Sequence, residues 1–147
     1  MKSNFSLQYP SLLITDDDVD FRQTLKEAME SRGFRTLLAG DGEEALAVVR
    51  RETVHVALMD MHMPRLSGLE TIRRVRELHA RLPCILISAA MDQALAAKAR
   101  QAQAHAVLPK PVRFADLNSA IRDALRTTYA RQDLPFDEIY RSGSINS

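Results

Sequence analysis

Acidic residues follow two of the apolar runs in this sequence, each at the position where a short buried strand is expected to end. The clearest case is Asp60, which closes an apolar, β-branched run that begins at Val54, and Pro64 then prevents the strand from continuing. A carboxylate at the end of a buried strand is energetically costly unless it faces a crevice that contains partners. Other predicted strands also end in polar groups: Asp16 and Asp17 on the first, Ser88 on the fourth and Lys110 on the fifth.

These side chains predict a site for a divalent cation and a phosphoryl group. Three clustered carboxylates, on Asp16, Asp17 and Asp60, repel one another unless a cation lies among them. Carboxylate oxygens suit a hard cation, and Mg²⁺ is the natural choice because it binds through few carboxylates and keeps several waters. With that ion and the Lys110 ammonium present, Asp60 is expected to act as a nucleophile and form an aspartyl phosphate. Ser88 and Lys110 would then hold the remaining phosphoryl oxygens.

The elements that position these groups are predicted to alternate between strand and helix five times. Apolar runs predict strands at 11–15, 34–39, 54–60, 83–88 and 106–108, and helical periodicity predicts a helix after each of them. This alternation is typical of the α/β class with a doubly wound, five-stranded parallel sheet and helices on both faces. In the flavodoxin-like strand order 2-1-3-4-5, the carboxyl ends of strands 1, 3, 4 and 5 lie side by side, and ligands bind there. The helix from about Met91 to Ala104 has only Leu95 as a large anchor, so we expect it to be weakly packed.

Length and composition limit the domain organisation. The 147 residues fit one domain, which we place at 11–127, between an N-terminal extension at 1–10 and a C-terminal tail or linker stub at 128–147. The net charge of +1 creates no field that would draw the chain to nucleic acid or to a membrane, and we expect neither as a direct partner. The sequence contains no apolar stretch of membrane-spanning length and no visible signal peptide, which predicts a cytoplasmic location.

Cysteine and histidine do not indicate a second chemical centre. The single cysteine, Cys84, lies inside an apolar run and is expected to be a small buried hydrophobe, and one cysteine cannot form an internal disulfide. The four histidines lie on different predicted elements without the spacing of zinc ligands: His55, His62, His79 and His105.

Five short motifs occur in a fixed order between about Leu12 and Arg126. They are Asp16-Asp17, the segment from Met59 to Pro64 around Asp60, Ser67-Gly68-Leu69-Glu70, Ser88-Ala89 and Lys110-Pro111. Together they resemble the motif set of the receiver domains of bacterial response regulators. The resemblance implies that Asp60 is the phosphoacceptor and that Asp16 and Asp17, with Asp60, hold Mg²⁺ directly or through water. It also implies that the backbone carbonyl of His62 completes the metal site and that the bond before Pro111 is cis.

The same resemblance implies a signalling domain that is not an enzyme in the usual sense, because it catalyses only its own phosphotransfer and dephosphorylation. Its phosphoryl donor would be a sensor histidine kinase or a phosphotransfer protein. Its signal would leave through the face formed by helix 4, strand 5 and helix 5, towards a downstream protein or an output domain outside this sequence. A monomer and a phosphorylation-dependent dimer are both compatible with this function. Val107 departs from the family, which usually places Tyr or Phe three residues before the lysine. In the family this aromatic side chain swings inward on activation, and we do not expect Val107 to couple the site to the output in that way.

Two other classes of protein use related features. An interaction scaffold of the same fold would bind partners without being phosphorylated. A phosphatase of the haloacid-dehalogenase type also combines a strand-end aspartate, a Ser or Thr, a lysine and Mg²⁺. Its motifs differ from those here, because Asp16 to Asp20 runs directly into a helical stripe and no acidic pair follows Lys110. Metal-dependent labelling by a small phosphodonor would separate the phosphorylated signalling domain from both alternatives.

Overall fold

The computed structural model describes residues 9–129, in which five parallel strands alternate with five helices. The strands are β1 (Ser11–Thr15), β2 (Arg35–Ala39), β3 (Val56–Asp60), β4 (Cys84–Ser88) and β5 (Ala106–Pro109). The helices are α1 (Val19–Glu30), α2 (Gly42–Arg51), α3 (Gly68–Leu78), α4 (Gln93–Gln101) and α5 (Phe114–Tyr129). The sheet has the order β2-β1-β3-β4-β5, which confirms the predicted fold class and strand order. Most of the predicted extension at 1–10 and of the predicted tail at 128–147 lies outside the described residues.

The register of the sheet brings the ends of the central strands to one edge. Asp60, the last residue of β3, lies beside Ile87 of β4, and Ser88 lies beside Pro109 of β5. On the other side of β3, Thr15 of β1 pairs with Met59. Residues that directly follow β1 and β5 therefore meet the carboxyl ends of β3 and β4, as expected for parallel strands.

Alternating side chains of the sheet form two hydrophobic cores, one on each face. On one face, Leu13 and Met59 pack with buried residues of α2, α3 and α4. On the other face, Ile14 and Leu58 pack with buried residues of α1 and α5. The central strands β1, β3 and β4 are buried along their whole length, because helices cover both of their faces.

Four of the helices in the described chain begin with a capping side chain just beyond the carboxyl edge of the sheet. Asp18, Asp41, Ser67 and Asp92 accept hydrogen bonds from backbone amides in the first turns of α1, α2, α3 and α4. Such caps satisfy amides that have no partner within the helix. They fix the direction in which the chain leaves each strand, and therefore the loops that surround the site.

The helix α4 is shorter than the sequence predicts. Asp92 caps its start, and the chain turns out of the helix at Gln103, which has a φ of 63°. The amide of Ala104 closes this end by donating to the carbonyl of Ala99 at 3.0 Å. Ala99 is buried and Leu95 is half-buried, so the expectation of few large anchors holds.

The opposite edge of the sheet contains a buried histidine. Nδ1 of His55 accepts a hydrogen bond from the amide of Ser11 at 2.9 Å, and its carbonyl accepts one from the Tyr129 hydroxyl at 2.9 Å. Burial lowers the pKa of His55, and the positive charges of His79 and Arg35 lower it further. The histidine side chain is therefore held in its neutral form. The two hydrogen bonds of the residue connect β1, the start of β3 and α5.

Cys84, at the start of β4, is buried as predicted. Burial raises the pKa of its thiol to about 12, and the Sγ atom lies 3.7 Å from the carbonyl oxygen of Leu82. Within residues 9–129, the structure contains no helix with the length and hydrophobicity of a transmembrane span.

Candidate functional site

Asp60 lies at the carboxyl edge of the sheet in a tightly defined backbone. The residue is 3% exposed. Directly after it, the amide of Met61 donates to the carbonyl of Ile87 at 2.8 Å, and the Met61 carbonyl accepts from the amide of Gly68 at 2.9 Å. Gly68 packs so closely that a Cβ atom there would overlap the carbonyl oxygen of Asp60. The Asp60 carboxylate is thus presented from a fixed strand end, with the amide of His62 at 3.4 Å from its Oδ1 atom.

Asp16 and Asp17, which follow β1, bring two more carboxylates to Asp60. One carboxylate oxygen from each of the three residues lies within 4.8 Å of the other two. Asp16 and Asp60 are buried, whereas Asp17 is exposed, so the cluster is open to solvent on one side. Such a half-open set of oxygen donors fits Mg²⁺, which takes oxygen ligands and retains several waters. A soft, thiolate-preferring metal would find no suitable ligand in this cluster.

The environment of Asp16 disfavours the ionised form of its carboxyl group. Burial raises the pKa of the Asp16 carboxyl, an effect that the hydrogen bond from the Asp18 amide opposes and the charge of Asp60 reinforces. That amide lies 2.9 Å from Asp16 Oδ1. Two buried carboxylates side by side are stabilised by any positive charge that enters between them.

Lys110, which follows β5, supplies one such charge from the protein itself. Its Nζ atom lies 3.1 Å from Asp60 Oδ1 and 3.3 Å from Asp16 Oδ2. Burial lowers the pKa of Lys110, but the hydrogen bond to Asp60 and the charge of Asp16 outweigh it, so that the pKa is raised overall. The lysine is therefore an ammonium in this site. Its Nζ atom also lies 5.3 Å from the centroid of the Phe21 ring, within the range of a cation–π contact.

Ser88 ends β4 and is fully buried, with its hydroxyl turned onto the loop that leads to α4. The hydroxyl donates to the carbonyl of Ala90 at 2.8 Å, and the amide of Ala90 lies 3.2 Å from Ser88 Oγ. The carbonyl of Ser88 accepts from the amide of Lys110 at 2.9 Å. The bond between Lys110 and Pro111 is cis, as the resemblance implied.

The predicted site residues thus converge on one edge of the sheet, although to different degrees. The carboxylates of Asp16, Asp17 and Asp60 form one cluster, and Lys110 contacts two of them. His62 lies beside Asp60 through its amide, while the Ser88 hydroxyl engages the neighbouring loop. Val107 packs against the hydrophobic core on the side of α2, α3 and α4.

Sequence reasoning missed two supporting residues of α1. Phe21 places its ring below the Lys110 ammonium, and the guanidinium of Arg22 donates to the backbone carbonyl of Asp16. In the sequence, Phe21 is one member of an apolar helical stripe that also contains Leu25 and Met29. Its spacing within α1 carries no information that it will meet the lysine that follows β5.

Comparison with known proteins agrees with this arrangement. The family model described as the response regulator receiver domain matches residues 12–122. Among curated relatives, the response regulator MprA of Mycobacterium leprae is 35% identical over 117 residues, which cover 80% of this chain and 51% of the relative. The transcriptional regulatory protein CpxR of Klebsiella pneumoniae is 33% identical, with 80% of this chain and 50% of the relative covered. The chain spans about half the length of these curated relatives.

Solved structures show the same fold. A CheY-like response regulator receiver domain protein from Methanospirillum hungatei has a TM-score of 0.80 at 25% identity, with 84% of this chain and 98% of that chain covered. A response regulator receiver domain protein from Clostridium thermocellum has a TM-score of 0.78 at 27% identity, with 84% and 99% covered. The chain belongs to the family of response regulator receiver domains.

Proposed function

We propose that this receiver domain accepts a phosphoryl group on Asp60 and passes the resulting change of shape to a partner. The observation that carries the proposal is the position of the Asp60 carboxylate, which is buried at a strand end, 3.1 Å from an ammonium, and within 4.8 Å of two further carboxylates. A structural aspartate needs one counter-charge at most, whereas this cluster combines a nucleophile with groups that stabilise a phosphoryl group.

The proposed reaction is a direct transfer to Asp60. A carboxylate oxygen attacks the phosphorus of a phosphohistidine on a sensor histidine kinase or a phosphotransfer protein. The new O–P bond forms as the P–N bond breaks. The electron pair of the P–N bond leaves with the imidazole, which takes up a proton from solvent. Small donors such as acetyl phosphate would react in the same way, with acetate as the leaving group.

The residues that would hold Mg²⁺ are Asp16, Asp17 and Asp60 through their carboxylates and His62 through its backbone carbonyl. The chemistry supplied by the bound ion is neutralisation of the carboxylates and of the negative charge on the phosphoryl oxygens. Lys110 would keep its contact with the acidic cluster through Asp16 and turn its ammonium to a phosphoryl oxygen. The ring of Phe21 would limit how far the ammonium can move away.

Ser88 is the residue through which we expect the site to communicate. Its hydroxyl would leave the carbonyl of Ala90 and donate to a phosphoryl oxygen, which is the stronger, charged acceptor. The loop after Ser88 would lose a hydrogen bond and shift together with α4, whose few anchors make displacement inexpensive. Because Val107 is too short to alternate between two positions as an aromatic ring does, the loop and α4 would transmit the change to the face of α4, β5 and α5.

The lifetime of the phosphoryl group would depend on the two residues that lie two positions after Asp60 and Ser88. These residues, His62 and Ala90, would flank the path of the attacking water. Ala90 is too small to shield the phosphoryl group or to orient water, so we expect His62 to exert the larger control. The domain would thereby catalyse its own dephosphorylation without acting on any other substrate.

The partners we propose are a sensor histidine kinase or phosphotransfer protein upstream and either a docking protein or an output domain of a longer chain downstream. Two observations support the output domain over the docking protein. The chain spans about half the length of its curated relatives, and one of these is named a transcriptional regulatory protein. Action in the cytoplasm, as a monomer or as a phosphorylation-dependent dimer, is compatible with this function.

The decisive experiment is incorporation of phosphate from acetyl phosphate with Mg²⁺, measured by intact mass. Wild type should gain one phosphoryl group, and Asp60→Asn, which is nearly isosteric, should gain none while keeping its fold. Phosphate incorporation in Asp60→Asn would show that the acceptor is misassigned. If wild type incorporates no phosphoryl group and still binds its partner, the result would favour the scaffold that acts without phosphorylation. A haloacid-dehalogenase-type phosphatase has no support from the family assignment.

Metal binding is tested separately by thermal unfolding. Mg²⁺ at about ten times its dissociation constant should stabilise the native state by ~1.4 kcal/mol, because it binds only the folded cluster. Asp17→Ala should remove this shift, and Asp20→Ala, which removes an exposed acid outside the cluster, should retain it. Equal shifts in wild type and Asp17→Ala would place the ion elsewhere.

A further inference from the structure

The loop between β3 and α3 contains a strained turn at Arg65. This residue has a φ of 69°, and the amide of Leu66 donates to the carbonyl of Pro64 at 2.8 Å. A hydrogen bond across one residue with positive φ defines the classic γ-turn, which is rare and strained for a residue with a side chain. Such a conformation persists only where surrounding contacts enforce it.

The contact that holds the side chain of Arg65 comes from the loop before α2. Nη2 of Arg65 lies 2.7 Å from Oδ2 of Asp41, and the other oxygen of Asp41, Oδ1, accepts from the amide of Glu44 at 2.8 Å. One carboxylate therefore caps α2 and anchors the tip of the β3–α3 loop at the same time.

Packing next to this ion pair is close. A Cβ atom on Gly42 would lie 2.9 Å from Cβ of Leu66 and would overlap the hydroxyl of Thr71. Gly42 is buried, and Leu66 packs against the core between the sheet and α2, α3 and α4. The first turn of α2 is thus pressed against the β3–α3 loop, so the ion pair reinforces an existing contact between the two segments.

The same loop carries His62, three residues before Arg65. Its near end is fixed where the amide of Met61 donates to Ile87, and its far end where the amide of Gly68 donates to Met61. Between these points, within the described chain, the Arg65–Asp41 pair is the ion pair that ties the loop to another element. Movement of the tip would alter the position of the His62 backbone relative to Asp60, whose Oδ1 lies 3.4 Å from the His62 amide.

We infer that Arg65 and Asp41 are positioning residues for the phosphorylation site, and that the α2 cap sets the affinity of the site for a divalent cation. The inference rests on the proposed function, because it concerns the loop whose His62 carbonyl would bind Mg²⁺. Arg65 and Asp41 are not among the residues that would hold the ion or the phosphoryl group. They hold the loop in one conformation before the ion arrives, so that less ordering accompanies binding. The Arg65–Asp41 ion pair also restrains α2 while the loop after Ser88 moves.

The test separates the two roles of Asp41. Asp41→Ser retains a good helix cap but removes the oxygen that pairs with Arg65. Glu43→Ser is the matched control, because it removes an exposed acid from the first turn of the same helix. Arg65→Lys retains the cation, and Arg65→Gly removes it while permitting the positive φ. Each variant is measured without metal by amide hydrogen exchange, and then titrated with Mg²⁺ by calorimetry.

In metal-free protein, exchange at residues 61–67 should accelerate in Asp41→Ser and Arg65→Gly, while wild type, Glu43→Ser and Arg65→Lys remain alike. Mg²⁺ affinity should fall about two- to fivefold in Asp41→Ser relative to Glu43→Ser, the range expected for a partly exposed ion pair. The double variant Asp41→Ser/Arg65→Gly should lose no more affinity than the larger single loss, because both changes break one contact.

Equal exchange and equal affinity in Asp41→Ser and Glu43→Ser would overturn the inference. Faster exchange with unchanged affinity would overturn its functional part and leave the pair a structural brace. Failure of the proposed function has a different signature: wild type would then bind no Mg²⁺, or would bind it equally in Asp17→Ala. The exchange comparison in metal-free protein is independent of that outcome.

Discussion

Substitution of Gly68 by alanine should displace the backbone that carries Asp60. An added Cβ would overlap the carbonyl oxygen of Asp60, lie 2.8 Å from its carbonyl carbon and lie 2.9 Å from Cδ1 of Leu86. Two of these atoms belong to the backbone of a buried central strand and cannot rotate away. The strain of overpacking at such a position is about 2–3 kcal/mol, in the upper part of the usual range.

Part of this cost is offset in the unfolded chain, because alanine has less conformational freedom to lose than glycine, a difference of about 0.4–1 kcal/mol. The expected net loss of stability is therefore about 1–2.6 kcal/mol. For a domain of this size, each kcal/mol lowers the melting temperature by roughly 3–5 °C, so the expected decrease is ~3–13 °C. Because the strain falls on the Asp60 carbonyl, the rate of phosphorylation from acetyl phosphate should also decline.

The matched control is Gly40→Ala. A Cβ on Gly40 would meet the far ends of two flexible side chains, Arg22 at 3.2 Å and Glu44 at 3.5 Å, and would displace them by only a few tenths of an ångström. This variant should stay within about 0.5 kcal/mol of wild type, as most surface substitutions do. Urea unfolding of the three proteins, with phosphorylation kinetics in parallel, measures both effects. If Gly68→Ala unfolds with the same midpoint as wild type, the close approach of α3 to β3 is not as described.

Three further predictions concern other parts of the chain. Thr15→Val should stabilise the fold by ~1 kcal/mol in urea unfolding, because the buried Thr15 hydroxyl has no partner among residues 9–129; a loss of stability would mean that the hydroxyl is satisfied. The lowered pKa of His55 should make stability full above its ordinary value of 6.5 and progressively smaller as pH falls below it, since the unfolded chain takes up the proton first; His55→Gln should flatten this slope, and an unchanged slope would contradict the assignment. With beryllofluoride and Mg²⁺, amide exchange should change at Ala89 to Ala104 and little at Phe34 to Arg51, whereas a uniform response would refute transmission through α4.

The sequence predicted the positions of the candidate site residues that lie at the ends of strands. Asp16, Asp60 and Lys110 each close an apolar run, and parallel topology brings such positions together whatever the details of packing. The strand order followed from the same alternation together with the resemblance. For these residues, knowledge of the elements was sufficient to place the side chains at one edge of the sheet.

The contacts that could not be predicted depend on torsion angles within loops. The direction of the Ser88 hydroxyl is set by its side-chain rotamer, which the sequence does not specify. The positive φ of Arg65 has no sequence signature, because arginine does not favour that conformation. Its pairing with Asp41 joins two loops that are adjacent only after the sheet has formed.

The burial of Cys84 has a practical consequence for measuring motion. A thiol with a pKa of about 12 and no exposure reacts very slowly with maleimides or methanethiosulfonates at neutral pH. A single cysteine introduced by Gln101→Cys on α4, or a pair completed by Arg50→Cys on α2, can therefore carry fluorescent or spin labels without removal of the native residue. The distance between α4 and α2 then becomes measurable in a chain that is otherwise unaltered.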